Sequence, residues 1–376
     1  MEFLTDYQAI LHRLLEAQEM ISVLADASLQ FPRGEINDLR ESLARVRIEG
    51  LYLDEAELFQ LRKSIDYAAQ LERFFAVLDT TRFPQLKTLP VRSLRNNSGE
   101  TTASMLQPIL QIIDKTIDPF GQLRDSASQE LHRIRRELTQ AQGAVSAAVS
   151  AILRRAQAAG LVDKEATPTM REGRLVLPVP AGVKKKIIGI VHDESATGKT
   201  VFIEPQEVVD ANNRIRMLEA EQARERLRIL QDVTAFIRPL IPQIMLTQGF
   251  LARVDFIVAK TLLAKRLHAT APNFVDYPMV DIRDARHAVL YLRFTDEGKT
   301  VVPLTMRLDS DTNRILVISG PNAGGKSVCL KTVALCQYML QCGLPVPVSE
   351  ASTMGLFDKL LIDIGDEQSI EDDLST

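Results

Sequence analysis

Cysteine is scarce in this chain, and so is charge of one sign. Only three cysteines occur in 376 residues: Cys329, Cys336 and Cys342, close together and without CxxC spacing. That pattern offers neither a disulfide framework nor a thiolate metal site, and reads as reduced thiols buried along one helix. Lys and Arg number 45 against 49 Asp and Glu, a net charge of −4. Binding to nucleic acid therefore has no global electrostatic support and would need a local basic patch. No apolar run approaches the roughly 18 residues of a membrane span, and no basic segment followed by an apolar one opens the chain. No membrane partner is expected, and the expected location is cytoplasmic. A hydrophobic content of 45% is enough for two or three globular domains.

What is present is mostly helical. "YQAILHRLLEAQEMISVLADA" carries apolar residues at helical spacing and ends at "FPRG", where Pro and Gly stop a helix. A second helix is expected over about 35–47. A third, over 54–79, has Asp54 at its N-cap position. Farther on, Leu131, Ile134, Leu138, Ala141, Val145, Ala148 and Ile152 step 3-4-3-4-3-4, the seam of a coiled coil with small residues suited to a close antiparallel partner. Residues 206–238 supply that partner. Val208, Ala211, Ile215 and Leu218 keep the rhythm. It then slips phase and resumes through Ala220, Ala223, Leu227, Leu230 and Ile237. Between the two helices, "GRLVLPVPAGVKKKIIGIVHDESATGKTVFIEP" predicts three short strands at about 174–179, 186–193 and 200–204. A helical return is expected over about 243–270. Beyond "APNFVDYP", the segments "AVLYLRF", "TVVPLTMRL" and "RILVIS" read as strands opening an α/β nucleotide-binding domain.

Two GK[ST] sequences occur, at 198–200 and 325–327. A phosphate loop requires G-x-x-x-x-G-K-[ST] between a strand and a helix, so that loop amides and the helix N-terminus cradle phosphates. The first match fails: Asp193 stands where the leading glycine belongs, and strand-like "VFIEP" follows. It reads as a hairpin turn with Gly198 at positive φ. The second match passes. In "GPNAGGKSV", Gly320, Pro321, Asn322, Ala323, Gly324, Gly325, Lys326, Ser327 and Val328 lie between "RILVIS" and a helical segment. Lys326 would reach the β- and γ-phosphates of ATP, and Ser327 would help hold Mg²⁺.

"GPNAGGKS" resembles the loop shared by ABC-type ATPases and the MutS family. Here helical segments precede the loop, an order similar to MutS rather than to ABC, SMC or Rad50-like proteins. "RIEGLYLDEAELFQLR", "HDESATGKTVFIEPQEVVDANNRI", "RDARHAVL" and "GLPVPVSEASTMGLFDKLLIDIGDEQSIEDDLST" look most like the second bacterial MutS paralogue. That branch lacks the mismatch-recognition and connector domains and ends in a small MutS-related (Smr) nuclease domain.

The resemblance implies a mainly α chain with a C-terminal α/β part. Its helical core would span 1–125 and 240–270, and its antiparallel coiled-coil lever arms 126–166 and 206–239. A small β-rich clamp would occupy the tip at 167–205, with the beginning of an ABC-like P-loop ATPase domain at 271–376. Asn322 matches the family's Asn beside the γ-phosphate, and Val301 and Val302 fall where the family packs an apolar side chain against adenine. "KLLIDIGDE" tempts a Walker B assignment to Asp363, but it corresponds to the stretch before the family's signature segment. The chain is therefore expected to be part of a longer homodimeric ATPase carrying a separate nuclease, with no catalytic residue of its own and little activity alone.

At the clamp, Lys184, Lys185 and Lys186 stand at a strand entrance, with Arg171, Arg174 and Lys199 nearby. Together they are the candidate contacts to a polyanion. The function this favours is ATP-dependent binding of branched or recombination DNA, restraining recombination. The alternatives are an ATPase that grips rRNA and splits collided ribosomes, and a non-enzymatic coiled-coil interaction module.

Overall fold

The computed structural model describes residues 2–94, 102–171, 173–321 and 324–363, with backbone only at 102–104. The protein is mainly α-helical with small mixed sheets. It divides into two units. One comprises Met1–Asn37, Lys63–Leu106 and Pro242–Thr376, the other Asp38–Arg62 and Gln107–Ile241. Asn322, Ala323 and the stretch from 364 onward lie outside the described residues.

In the first unit, α1 (Tyr7–Ala25) starts at Asp6, whose carboxylate accepts from the Ala9 amide at 2.6 Å. Ile10, Leu14, Ala17 and Met20 form its buried stripe. Met20 and Val23 join Leu71 and Phe75 of α3 (Glu55–Val77), Leu86 of α4 (Pro84–Leu94), and Phe250 and Val254 of α8 (Ile241–Leu267) in one core. Asp54, in the second unit, caps α3 as expected. It accepts from Glu57 N at 2.8 Å while the Glu57 carboxylate accepts from Asp54 N at 2.9 Å, a reciprocal capping box. The helix expected over 35–47, which falls mostly in the second unit, is shorter: α2 spans Arg40–Arg45.

A four-stranded sheet completes this unit: β5 (Asn273–Val275), β6 (Met279–Ala285), β7 (Leu304–Asp309) and β8 (Thr353–Gly355), in the order β5-β8-β6-β7. Only β5 and β8 run parallel. Its core contains Val280, Ile282 and Met354, with Cys336, Met339 and Leu340 from α10 (Lys326–Gln341). The cysteines are free, Cys336 and Cys342 fully buried, and burial pushes the Cys336 thiol up to about 12.

Two strand assignments in this region are corrected. "AVLYLRF" is helix α9 (Ala288–Asp296), started by His287, whose ring accepts from the Leu290 amide. "RILVIS" forms no strand. No strand among the described residues pairs with 314–319, and Ile315 and Val317 are 85% and 84% exposed; a backbone without a hydrogen-bonded neighbour remains extended chain.

In the second unit, α6 (Gln129–Ala158) and α7 (Val209–Ile237) pack antiparallel. Arg133 meets Glu221 at 3.5 Å and Arg214 meets Glu137 at 2.7 Å across the pair. On α6 the buried line is Leu131, Ile134, Val145, Val149 and Ile152, with Ala148 only half-buried. On α7 the phase slip comes later than expected, after Ile229, where the buried line moves to Leu230, Val233 and Ile237. Ala220, Ala223 and Leu227 are exposed, and the original rhythm continues from Ile215 and Leu218 through Gln222, Glu225 and Ile229. A buried glutamate occupies the seam because it is hydrogen-bonded there, not because it is apolar.

Between the helices lies a sheet of order β1-β2-β4-β3: β1 (Thr169–Arg171), β2 (Arg174–Pro180), β3 (Gly189–Glu194) and β4 (Thr200–Pro205). All pairings are antiparallel, and β3 bulges between Val191 and Asp193. Leu177, Val179, Val201 and Ile203 pack on Val145, Val149, Ile152 and Ile215 of the helices. Gly198, with φ of +66°, closes the β3–β4 turn, where Gly198 N donates to Ser195 O at 2.7 Å. The first GKT is therefore a hairpin. The expected strand at 186–193 begins later, at Gly189. Lys184, Lys185 and Lys186 are not at a strand entrance but in a 3-10 helix, Ala181–Lys186.

Candidate functional site

The candidate residues fall into two groups, one in each unit. In the first, β7 ends in a tight turn built on Asp309. Its carboxylate accepts from the amides of Asp311, Thr312 and Asn313 at 3.1, 2.6 and 3.1 Å. Those amide bonds hold the carboxyl well below the usual range. Residues 314–319 then run to Gly320 and Pro321. Gly324 N donates to Pro321 O at 3.0 Å, and Gly325 takes φ of +82° as the N-cap of α10, a conformation that suits glycine. Lys326 bends back over the loop, its ammonium donating to the carbonyls of Gly320 and Pro321, both at 2.7 Å.

The arrangement has the chemistry to receive an anion. A sixteen-residue helix directs its N-terminus and positive dipole end at the loop, beside a lysine cation. Ser327, half-buried in the first turn, offers one hydroxyl. No group of three or more His, Cys, Asp or Glu able to hold a metal exists among the described residues. The donor set thus fits phosphate, and fits Mg²⁺ only as a phosphate-bound ion. Val328 is partly exposed beside the loop. Val301 and Val302 lie in the coil before β7, with Val302 88% exposed. Asp363, the last described residue, is exposed and in no strand.

The far end of α10 holds a feature that motif reading missed. Lys260 of α8 is 4% exposed, and its ammonium donates to Gly343 O and Arg13 O at 3.3 and 3.4 Å. Burial lowers its pKa to about 8, with Glu16 opposing. Glu16, itself buried, pairs with Arg253 at 2.7 Å. Nothing in local spacing marks a lysine for such burial.

In the second unit, the six basic candidates separate into two classes. Arg174 is engaged internally: its guanidinium donates to both oxygens of Glu204 at 2.7 and 2.8 Å and to Asn213 at 2.6 Å. Arg171 lies over the Phe202 ring at 4.3 Å and meets Asp193 at 3.1 Å. Lys184, Lys185, Lys186 and Lys199 are exposed, and no ion pair involves them among the described residues. A bond from Ala181 N to Lys199 O, 2.9 Å, joins the lysine-bearing 3-10 helix to the hairpin.

Glu204 is the buried centre of this unit. His192 Nε2 lies 2.6 Å from it, and Asn212 Nδ2 donates to it at 2.7 Å. Burial pushes its pKa up, but the bonds from Asn212, His192 and Arg174 outweigh that and hold the carboxyl below its ordinary value. One carboxylate thus ties β2, β3 and β4 to α7.

No described helix is long and apolar enough to cross a membrane. Residues 316–376 match the family model for MutS domain V. The chain is 36% identical over 380 residues to endonuclease MutS2 of Lacticaseibacillus paracasei, covering 100% of this chain and 45% of that protein. It is 35% identical over 374 residues to endonuclease MutS2 of Listeria innocua, covering 99% and 45%. Against endonuclease MutS2 of Ruminiclostridium cellulolyticum it is 35% identical over 373 residues, with the same shares. The chain spans about half the length of these curated relatives. Carried across essentially its whole length, this similarity places the chain in the MutS family, in its MutS2-type branch.

Proposed function

We propose that this chain is the nucleotide-gated, nucleic-acid-gripping part of an ATP-dependent DNA-binding protein. The α6–α7 pair would be its lever and the β1–β4 sheet its clamp. The observation that carries the reading is the cradle around Lys326: a glycine-capped helix N-terminus with an ammonium held at the loop by two carbonyls. Those carbonyls occupy the cation until phosphate oxygens, which bear more negative charge, replace them. The loop amides and the α10 dipole would bind the β- and γ-phosphates of ATP, and Ser327 would contribute to the Mg²⁺ that accompanies them. Mg²⁺ would neutralise charge on the transferring phosphoryl group. The loop residues offer no carboxylate to orient water, so turnover would need groups beyond the loop.

Lys184, Lys185, Lys186 and Lys199 would meet the phosphate backbone of branched DNA. The larger protein would work as a homodimer, and the name of its relatives, endonuclease MutS2, suggests a nuclease activity for it as well. The test is titration with Mg²⁺–ATP and with a four-way DNA junction, for the chain and for Lys326→Ala. Nucleotide affinity that survives Lys326→Ala would reject the nucleotide reading, and no binding to any nucleic acid would reject the clamp reading.

A further inference from the structure

The clamp sheet presents an isoleucine to water. Ile188 is 80% exposed, directly after the run Lys184, Lys185, Lys186 and Ile187. Its backbone is fixed on both sides. Gln206 N donates to Ile188 O at 3.0 Å, and Gly189 is pressed so closely on β4 that a Cβ there would stand 2.1 Å from Glu204 O. The β-branched side chain has few rotamers, so it protrudes from an ordered base at small entropic cost. It lines a groove of about 440 Å³ together with the apolar Ile152, Ala156, Leu161, Ile187 and Pro205, with Lys186 and the paired Arg155 and Glu207 at its edge. An isolated exposed isoleucine needs no explanation. One on a pinned backbone, flanked by exposed lysines and an apolar groove, does.

We infer that Ile188 is an apolar wedge that enters an unstacked base step of nucleic acid while the flanking lysines hold the adjoining phosphates. The inference rests on the clamp reading above and adds a specificity to it. Lysine bonds to phosphate are blind to structure, but a wedge is accommodated only where bases are already parted. The groove gives a displaced base an apolar surface to lie against. The chemistry recognised is therefore a polyanion with an unpaired or unstacked base, whether in DNA or RNA.

The test measures affinity of the chain for a linear DNA duplex, the same duplex with an unpaired bulge, a four-way DNA junction and a bulged RNA duplex. The wild-type chain should favour interrupted forms over the linear duplex by about tenfold, the scale of one stacking contact. Ile188→Ser should abolish that preference while leaving linear-duplex affinity and its salt dependence unchanged. Ile188→Phe, a larger wedge, should keep or increase the preference. Both substitutions fall on an exposed side chain, so circular dichroism should be unaltered. A preference confined to DNA or to RNA upholds the wedge and identifies its source. An unchanged preference in Ile188→Ser overturns it even if binding is strong. Failure of the wild-type chain to bind any of the four overturns the clamp reading itself.

Discussion

The Ser128 hydroxyl donates to the buried Glu225 carboxylate at 2.6 Å while accepting from the Leu131 amide at 2.9 Å. One small side chain thus starts α6 and satisfies the charged residue in the α7 seam. Arg228 provides the other partner, at 2.6 Å. Arg228 foremost, then Ser128, hold the Glu225 carboxyl below its ordinary value against the opposing effect of burial.

Ser128→Ala should therefore cost about 2 kcal/mol, the sum of a lost helix cap and a lost bond to a charged group. Urea unfolding followed by circular dichroism measures it. Because the folded carboxyl has the lower pKa, Glu225 contributes stability above the unfolded carboxyl range and loses it as pH falls through the folded value. Glu225→Gln should be less stable than wild type at neutral pH and converge on it in acid.

Lys326→Ala should weaken Mg²⁺–ATP binding by about ten- to a hundredfold, the range for charge-assisted bonds. Isothermal titration reads this directly. Hydrolysis by the chain should be undetectable with Lys326 intact. Robust turnover that depends on Lys326 would make Asp363 a catalytic carboxylate.

Replacing Lys184, Lys185 and Lys186 together by alanine should weaken nucleic-acid binding and lower the log–log salt slope by about 2 to 3, since each phosphate no longer neutralised removes about 0.9. Arg174→Ala should behave differently. It removes the bidentate partner of buried Glu204, so it should lower thermal stability by an amount typical of a broken buried pair, about 3 kcal/mol or more. A salt-slope change with unaltered stability would show that Arg174 serves phosphate after all.

Lys260 makes a prediction on the alkaline side. Its pKa falls from 10.5 to about 8 in the folded protein, so between those values the unfolded chain holds a proton that the native protein has released. Stability should rise with pH across that window, by at most about 3 kcal/mol. Lys260→Met, of similar length and uncharged, should flatten the rise and be at least as stable at neutral pH. A steeper rise in the variant would contradict the burial described for Lys260.

Signals that depend on near neighbours were legible in the amino-acid order. Asp54 as a cap, Gly198 as a turn and Gly325–Lys326 as the start of α10 each follow from contacts within a few residues. Apolar spacing likewise marked α1 and α6. Tertiary structure decided what spacing could not. "AVLYLRF" has the composition of a strand, yet it became helix α9 with His287 as its cap and with Ala288 and Leu290 buried. "RILVIS" has the composition of a buried strand and lies exposed, because a strand exists only beside another.

In α7 the search for apolar residues left the true seam at Gln222 and Glu225, since a polar residue becomes a core residue only when a distant partner such as Ser128 satisfies it. The same physics separated the basic candidates of the β1–β4 sheet and its turns. Residue type made Arg171, Arg174 and the four lysines equivalent, but Glu204 and Asp193 took the two arginines for the fold and left the lysines in water. Local chemistry is written along the chain. Which charges remain available to a partner is settled only when remote carboxylates have chosen theirs.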